Sequence, residues 1–157
     1  MSRIKDWMDV MDAIAALQLT PPPIQYVLGF AFTPDDKVAL IQKTKPQWQA
    51  GFFNGVGGKL EAGETPEQAM SREFLEETGV QIASDMWEYR GLMVGSGWRV
   101  FVYTVMSTRV NSVRTMEEEK VELVPMPLIP MTNVISNVPV LLSLCLMPDD
   151  ATFTLYY

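Results

Sequence analysis

Histidine is absent from this chain of 157 residues, and cysteine occurs only once, as Cys145. Without histidine there are no imidazole metal ligands, and the Ser-His and Cys-His types of nucleophilic site are excluded. One cysteine cannot form an internal disulfide, which is typical of proteins from reducing compartments. Its apolar neighbours predict that Cys145 is buried and unreactive. Acid-base or metal chemistry must therefore depend on carboxylates.

Long apolar runs and positive charge are also scarce. The longest apolar run, around residues 140–147, is far shorter than the roughly 20 residues that cross a bilayer, so we expect no membrane contact. Asp6, Asp9 and Asp12 interrupt what would be the apolar core of a secretory signal, which favours the cytoplasm. The formal net charge of -7 lacks the basic footprint of a protein that binds long nucleic acids. A small anionic ligand would need a local device, such as a bound metal ion, to overcome that charge.

Strand and helix patterns follow one another along a single domain, residues 1–157. Apolar spacing predicts a short helix within an N-terminal extension of residues 1–23, which the prolines at 21–23 end. Apolar runs at residues 25–32 and 38–42 predict a hairpin, and further strands are predicted near residues 87–94, 99–106 and 120–126. A last helix is predicted from its N-cap Asn137, with Pro139 just inside it, to about Met147. This order predicts an α/β fold in which a mixed sheet lies between helices.

The most informative helix is predicted from Pro66 to about Thr78. Thr65 is a favourable N-cap, Gln68 completes a capping box with it, and Gly79 suits the position just after the end. Proline is favoured at the first helical position. The boundaries of this helix are therefore predicted from local signals alone.

Three carboxylates share one face of this helix. At about 100° per residue, Glu73, Glu76 and Glu77 fall within an arc of roughly 100°. The opposite face, which we expect to pack on the sheet, contains Met70, Ser71, Phe74 and Leu75. Negative charges three and four residues apart weaken an isolated helix, which indicates that a cation belongs there. Hard oxygen ligands suit Mg²⁺ or Mn²⁺, and Mg²⁺ binds through a few carboxylates, several waters and substrate phosphates.

The segment from Gly58 to Val80 resembles the Nudix box, the signature of the Nudix hydrolase family. In that pattern a glycine, five residues, a glutamate and seven residues precede Arg-Glu-aliphatic-x-Glu-Glu-x-Gly-aliphatic. The matching identities here are Gly58, Glu64, Arg72, Glu73, Glu76, Glu77 and Gly79. Phe74 is larger than the usual aliphatic residue, a departure that affects packing rather than chemistry. A chance match at a given start is on the order of one in 10⁸. The resemblance implies the Nudix fold, an α/β/α sandwich with a mixed sheet.

The resemblance also implies roles for these residues. Glu73, Glu76 and Glu77, with the carbonyl of Gly58, would hold Mg²⁺ or Mn²⁺, and water would then attack the diphosphate. Glu64 would support the site or help to bind metal. Arg72 lies four residues before Glu76 and would orient a carboxylate, a mainly structural role.

The general base has two candidates. One is Glu76 within the box, and the other is an acidic residue of the later loop, for which the sequence offers the run Glu117, Glu118 and Glu119, with Glu119 directly before a predicted strand. A solvated run of charge is the alternative interpretation of that loop.

Candidate substrate contacts lie before the box. The run from Asn54 to Lys59 matches the Asn-Gly-x-Gly-Gly-Lys of Nudix enzymes that remove oxidised purine nucleotides. Asn54 would then hydrogen-bond a base edge, although Asn-Gly also forms turns. Gly57 and Gly58 would let the backbone approach the phosphates, and Lys59 would contact them unless it is a surface lysine. Trp98 would stack on a base, or else pack in the core or at its rim.

The resemblance implies several functions. The favoured one is hydrolysis of a canonical or oxidised (deoxy)nucleoside triphosphate to the monophosphate and pyrophosphate. ADP-ribose, a nucleotide sugar or a dinucleotide polyphosphate are alternative substrates. A non-catalytic nucleotide sensor is a further alternative, but it would be expected to lack one of the metal-binding glutamates. We expect a small nucleotide as the partner and no nucleic acid. Family members are often dimers, so the resemblance also allows a homodimer.

Overall fold

The computed structural model describes residues 6–12, 22–148 and 150–157. Residues 6–12 are helical, as predicted for the start of the N-terminal extension. The remainder of that predicted helix and its first terminating proline, Pro21, lie outside the described residues. None of the helices in the described ranges is long and apolar enough to cross a membrane.

Among the described residues, eight strands form one mixed sheet. They are β1 (Ile24–Phe32), β2 (Lys37–Gln42), β3 (Phe53–Asn54), β4 (Val56–Lys59), β5 (Glu88–Gly95), β6 (Trp98–Met106), β7 (Lys120–Pro125) and β8 (Phe153–Tyr156). Their order across the sheet is β3-β2-β1-β6-β5-β8, with β4 also paired to β1 and β7 to β2. The pairs β1–β6 and β5–β8 are parallel, and the other pairs are antiparallel. The predicted hairpin and the three later strands are confirmed to within a residue or two.

Apolar residues on both faces of the central strands produce two cores. In β1, Val27 and Ala31 belong to one core, whereas Leu28, Phe30 and Phe32 belong to the other. Such a pattern is expected where a strand is covered on both sides, because neighbouring side chains point to opposite faces. Helix α1 (Pro66–Thr78) covers the first core, and helix α2 (Val138–Cys145) covers the second. The predicted α/β/α sandwich is confirmed.

Helix α1 begins and ends where the sequence predicts. The Thr65 hydroxyl accepts a hydrogen bond from the Gln68 backbone N–H, and the Gln68 side chain accepts one from the Thr65 N–H. Gly79 ends the helix in the left-handed region at φ 72°, which glycine adopts without a steric penalty. Of the face predicted to pack on the sheet, Met70 and Phe74 are buried, but Leu75 is exposed, so that assignment was wrong. Leu75 lies at the margin of the apolar arc, where a helical projection does not fix burial.

Helix α2 differs from the prediction at both ends. Asn137 precedes it, but its side chain makes no capping hydrogen bond, and the helix stops at Cys145 rather than Met147. The buried guanidinium of Arg90 in β5 donates hydrogen bonds to the carbonyls of Cys145 and Met147, satisfying acceptors that the helix end leaves free. Cys145 is buried as predicted, and burial raises the pKa of its thiol to about 11. Strands β3, β4 and β8 were not predicted.

Candidate active site

Strand β4 and helix α1 meet at Gly58. A methyl group on Gly58 would lie 2.4 Å from the carboxylate carbon of Glu73, closer than any ordinary contact. At Gly57 the same atom would lie 2.0 Å from the carbonyl oxygen of Val27, across the β4–β1 pair. At Gly57 a side chain would clash with backbone, so glycine is required there, whereas at Gly58 a side chain would have to displace the Glu73 carboxylate. Because Gly58 has no side chain, the Glu73 carboxylate lies directly against its backbone.

Arg72 holds several of these carboxylates in place. Its Nε donates to Glu64 Oε1 at 2.5 Å and its Nη2 to Glu64 Oε2 at 3.0 Å, a two-point pairing that fixes the orientation of both groups. Its Nη1 lies 2.8 Å from Glu73 Oε1 and 3.3 Å from Glu76 Oε2. The hydrogen bond from Arg72 lowers the pKa of the Glu64 carboxyl. The Glu64 carboxylate in turn raises the pKa of the Arg72 guanidinium. The expected partner of Arg72 was Glu76, but the principal one is Glu64, because the guanidinium bends back toward the start of the helix, where it also reaches the Lys59 carbonyl.

The three glutamates of the acidic face lie in different environments. Glu76 is exposed, whereas Glu73 and Glu77 are partly buried. Burial raises the pKa of Glu73, with the Arg72 hydrogen bond opposing the rise. Burial also raises the pKa of Glu77 to about 7, and the negative charges of Glu117, Glu119 and Glu73 add to the rise. Within the part of the chain that the structure describes, the buried Oε2 of Glu77 has no hydrogen-bond partner. The negative charges around Glu77 therefore outweigh the positive charge of Lys43, which acts in the opposite direction.

These carboxylates fit a divalent cation with few protein ligands. A buried, unpaired carboxylate oxygen among like charges is stabilised by a cation, and hard oxygen ligands suit Mg²⁺ or Mn²⁺. No group of three or more acidic, histidine or cysteine side chains among residues 6–12, 22–148 and 150–157 is placed to hold a metal ion. Mg²⁺ commonly takes one or two carboxylates, together with several waters and substrate phosphates.

The three glutamates of the loop before β7 lie in two different environments: Glu119 is buried, and the other two are exposed. Glu119 accepts hydrogen bonds from Lys43 Nζ at 2.8 Å and from the Thr44 backbone N–H at 2.6 Å. Burial raises the pKa of Glu119, but these hydrogen bonds outweigh that effect and lower it overall. Glu117 is exposed and contributes the largest charge effect on Glu77. The solvated-run interpretation thus fits Glu117 and Glu118, whereas Glu119 is tied to the end of β2.

A cavity of about 470 Å³ lies beside the acidic face, with Gly57 and Gly58 in its wall. Among the predicted substrate contacts, Asn54 and Trp98 also line it. Lys59 does not: its side chain is exposed and lies outside the lining. The cavity is further lined by Lys43, Lys45, Trp48, Met93, Asn137 and Tyr157. Its charged lining residues are thus lysines, and aromatic and amide side chains form much of the remaining wall.

Asn54 and Trp98 both line the cavity and both make contacts within the protein, so their predicted base contacts stay predictions. Asn54 Oδ1 accepts a hydrogen bond from the Gly55 N–H at 2.8 Å, which is the turn role, and leaves the amide nitrogen to face a ligand. The ring of Trp98 is half-buried and lies 5.9 Å from the ring of Tyr157, centroid to centroid, at 41°. Trp98 therefore packs at the rim of the core and also offers surface to the cavity.

Two cavity residues were missed by the sequence reasoning. Asn137 was assigned only as a helix cap, but its Nδ2 donates to the hydroxyl of Tyr157 at 3.3 Å. Tyr157 was not singled out at all. An asparagine before a proline-containing helix has the pattern of a cap, and only the unpredicted strand β8 places Tyr157 near it, so no local signal distinguishes either residue.

Comparisons with known proteins agree with this architecture. The family model described as NUDIX domain matches residues 22–141. The uncharacterized Nudix hydrolase YvcI of Bacillus subtilis (strain 168) is 30% identical over 108 residues, 63% of this chain and 65% of the relative. The 8-oxo-dGTP diphosphatase of Proteus vulgaris is 43% identical over 47 residues, 30% of this chain and 42% of the relative. The matches span less than two thirds of the length of both relatives.

Solved structures of low sequence identity share the fold. The MutT protein of Bacillus halodurans superposes with a TM-score of 0.66 at 22% identity, covering 85% of this chain and 90% of that one. The NUDIX domain of Shewanella oneidensis NrtR, complexed with ADP ribose, gives a TM-score of 0.64 at 19% identity, covering 82% and 89%. These neighbours establish the arrangement of strands and helices described above.

Proposed function

Because the chain belongs to the Nudix hydrolase family, we propose that it hydrolyses a (deoxy)nucleoside triphosphate, with an oxidised purine nucleotide as the preferred substrate, to the monophosphate and pyrophosphate. The reaction requires Mg²⁺ or Mn²⁺. The observation that carries this proposal is the position of Gly58, which lines the cavity and lies against the Glu73 carboxylate. A nucleoside in the cavity would extend its phosphates past Gly58 toward the acidic face of α1.

The charges along the cavity support this orientation of the substrate. Lys43 and Lys45 line it together with Gly57 and Gly58, whereas the cavity lining contains no Asp or Glu. A phosphate chain is attracted to the lysines and repelled by the glutamates of α1 unless a cation lies between. The base end would then meet the neutral side chains of Asn54, Trp98 and Asn137.

The carboxylates of Glu73, Glu76 and Glu77 and the carbonyl of Gly58 would share one or more metal ions. The unpaired Oε2 of Glu77 supports this assignment, because a cation would replace the missing partner. A bound divalent ion supplies charge neutralisation at the diphosphate and activation of water. Arg72 orients Glu73 and, at longer range, Glu76, by donating hydrogen bonds to both.

The proton of the attacking water would pass to Glu76 or to Glu119. Glu76 is exposed on the acidic face and makes only the long Arg72 contact, so its carboxylate is free to turn toward solvent. Glu119 would first have to exchange its Lys43 and Thr44 partners. The geometry of this state favours Glu76 as the base, with Glu119 placing Lys43.

An oxidised purine suits the base end. Asn54 offers an amide nitrogen and Asn137 an amide group to the same cavity, and paired amide donors and acceptors discriminate purine edges that differ in hydrogen-bonding pattern. The 43% identity to the Proteus vulgaris 8-oxo-dGTP diphosphatase, over a short span, gives independent support.

The test is the release of phosphate and pyrophosphate with Mg²⁺ from a panel of canonical (d)NTPs, 8-oxo-dGTP, ADP-ribose, nucleotide sugars and diadenosine polyphosphates. Glu76→Gln should lower kcat by at least 100-fold, a typical contribution of a general base, without changing the far-UV circular dichroism. Glu118→Gln, an exposed acid of the loop, is the matched control and should keep wild-type turnover. Glu119→Gln should mainly raise KM.

The outcomes separate the alternatives. Turnover concentrated on triphosphates with 8-oxo-dGTP as the best substrate would support the proposal. Turnover on ADP-ribose or a nucleotide sugar would keep the chemistry and replace the substrate. Absence of turnover on the whole panel would favour the nucleotide-sensor alternative, and full activity of Glu76→Gln would overturn the assigned site.

A further inference from the structure

Strand β8 brings Tyr157 to the cavity. The strand pairs in parallel with β5, and the Tyr157 N–H extends the pairing by donating to the Val94 carbonyl at 2.9 Å. Phe153 and Leu155 pack against the same core that α2 covers, and Tyr157 continues this alternation. Its ring packs at a tilt on Trp98 in the cavity wall. Tyr157 is 64% exposed, but its backbone is held by the pairing with β5 and its ring contacts Trp98.

The sulfur of Met93 determines which way the Asn137 amide is turned, and the hydroxyl of Tyr157 accepts a hydrogen bond from the same nitrogen. Asn137 Nδ2 lies 3.3 Å from this hydroxyl and 3.8 Å from the sulfur of Met93. Thioether sulfur accepts hydrogen bonds and does not donate them, so the amide nitrogen, not the oxygen, belongs on this side. Both hydrogen bonds that the structure gives the Asn137 side chain use Nδ2, which leaves Oδ1 as an available acceptor.

We propose that Tyr157 is a positioning residue that holds the Asn137 amide in the orientation set by Met93, so that Asn137 Oδ1 is presented as an acceptor to a base edge carrying a ring N–H donor. The inference rests on the proposed function, since it concerns the base end of the same site. Tyr157 acts through Asn137 and makes the site select bases by the position of their donors. Guanine, 8-oxoguanine and thymine carry a ring N–H and belong to the favoured class, whereas the donor of cytosine is its exocyclic amine.

The test measures binding as well as turnover. Binding of dGMP, 8-oxo-dGMP, dTMP and dCMP is measured by isothermal titration calorimetry, beside steady-state kinetics on the matching triphosphates. Tyr157→Phe removes one hydroxyl and keeps the ring on Trp98. Tyr156→Phe removes a hydroxyl from the neighbouring, exposed residue of the same strand and is the control.

For Tyr157→Phe, we expect Kd and KM of the bases with a ring N–H to rise about 3- to 10-fold, the effect of one neutral hydrogen bond. The kcat should change less than twofold, because the reacting phosphates are distant from the base end. Tyr156→Phe should behave as the wild type. In an Asn137→Ala background, Tyr157→Phe should cause no further loss, because the two residues act as one unit. The side-chain amide resonances of Asn137 in a ¹⁵N spectrum should shift in Tyr157→Phe alone.

Several results would overturn the inference: equal Kd values and equal base ranking for Tyr157→Phe and wild type, additive losses in the Asn137→Ala background, or no binding of any monophosphate by the wild type. If the wild type binds the monophosphates with the expected ranking but hydrolyses no triphosphate, the proposed function fails while the role of Tyr157 stands. Thermal unfolding of each variant separates a loss of positioning from a loss of folded protein.

Discussion

Substituting Glu77 by Gln tests the electrostatics of the acidic face most directly. Burial and the charges of Glu117, Glu119 and Glu73 raise the pKa of Glu77 to about 7, and its buried Oε2 has no hydrogen-bond partner among the described atoms. At pH 8 the carboxylate is ionised and destabilises the metal-free fold. Gln keeps the shape of the side chain and removes the charge, so the metal-free variant should be more stable than the wild type.

The size of this effect follows from the pKa. A rise from 4.5 to about 7 corresponds to at most about 3 kcal/mol. Glu77 is only partly buried, and solvent screening reduces this to about 1–2 kcal/mol. For a chain of this length that is a rise in Tm of about 2–8 °C at pH 8. Because the pKa is higher in the folded state than in the unfolded state, wild-type stability falls as the pH rises from 4.5 through 7. The advantage of the variant should therefore shrink as the pH is lowered to 5.

The assay is thermal unfolding of wild type, Glu77→Gln and the control Glu118→Gln at pH 8 and pH 5, with EDTA and then with 10-fold steps of Mg²⁺. Mg²⁺ should raise the Tm of the wild type, since a ligand of the folded state stabilises it. The same titration should raise the Tm of Glu77→Gln much less. The turnover of this variant should be lower than that of the wild type by at least 100-fold. A lower Tm of Glu77→Gln at pH 8 in EDTA, or an undiminished Mg²⁺ response, would refute the reasoning.

Two further predictions concern the support of the acidic face. Gly58→Ala places a methyl group 2.4 Å from the Glu73 carboxylate, and we expect a loss of about 1–3 kcal/mol in stability from overpacking, with a weaker Mg²⁺ response in the same unfolding assay; an unchanged Tm would contradict the packing argument. Arg72→Lys keeps the charge but loses the two-point pairing with Glu64, so kcat should fall about 10-fold. The control is Glu61→Gln, which should leave kcat unchanged, because the Glu61 carboxylate is exposed and lies 3.7 Å from Arg72. Wild-type kcat in Arg72→Lys would show that charge alone suffices.

Local signals explain why some elements were predictable. Helix α1 carries a capping box, a proline at its first position and a glycine after its end, all within one continuous segment, and both boundaries were predicted correctly. Strands β3 and β4 lie in a glycine-rich segment with little strand propensity. They form because β2 and β1 offer them hydrogen-bonding partners. Such pairing depends on the tertiary structure and leaves no local pattern.

The same distinction separates the two halves of the site. Glu73, Glu76 and Glu77 lie on one helix, so a helical projection is sufficient to bring them together. Trp98, Asn137 and Tyr157 come from distant parts of the chain, and they meet only because β1 pairs with β6 while β5 pairs with both β6 and β8. The sequence therefore predicts the chemistry better than the specificity.

The glutamates of the site differ in whether a cationic side chain pairs with them, and this difference bears on how metal and substrate bind. Arg72 partly neutralises Glu64 and Glu73, and Lys43 neutralises Glu119, but no described cationic side chain pairs with Glu77. A triphosphate that approached Glu77 without metal would bring like charges together where burial weakens solvent screening. A divalent ion removes that repulsion for the enzyme and the phosphates at once. We therefore expect the metal to be needed for substrate binding as well as for chemistry, which agrees with a cavity whose own charged residues are lysines, set beside an acidic helix.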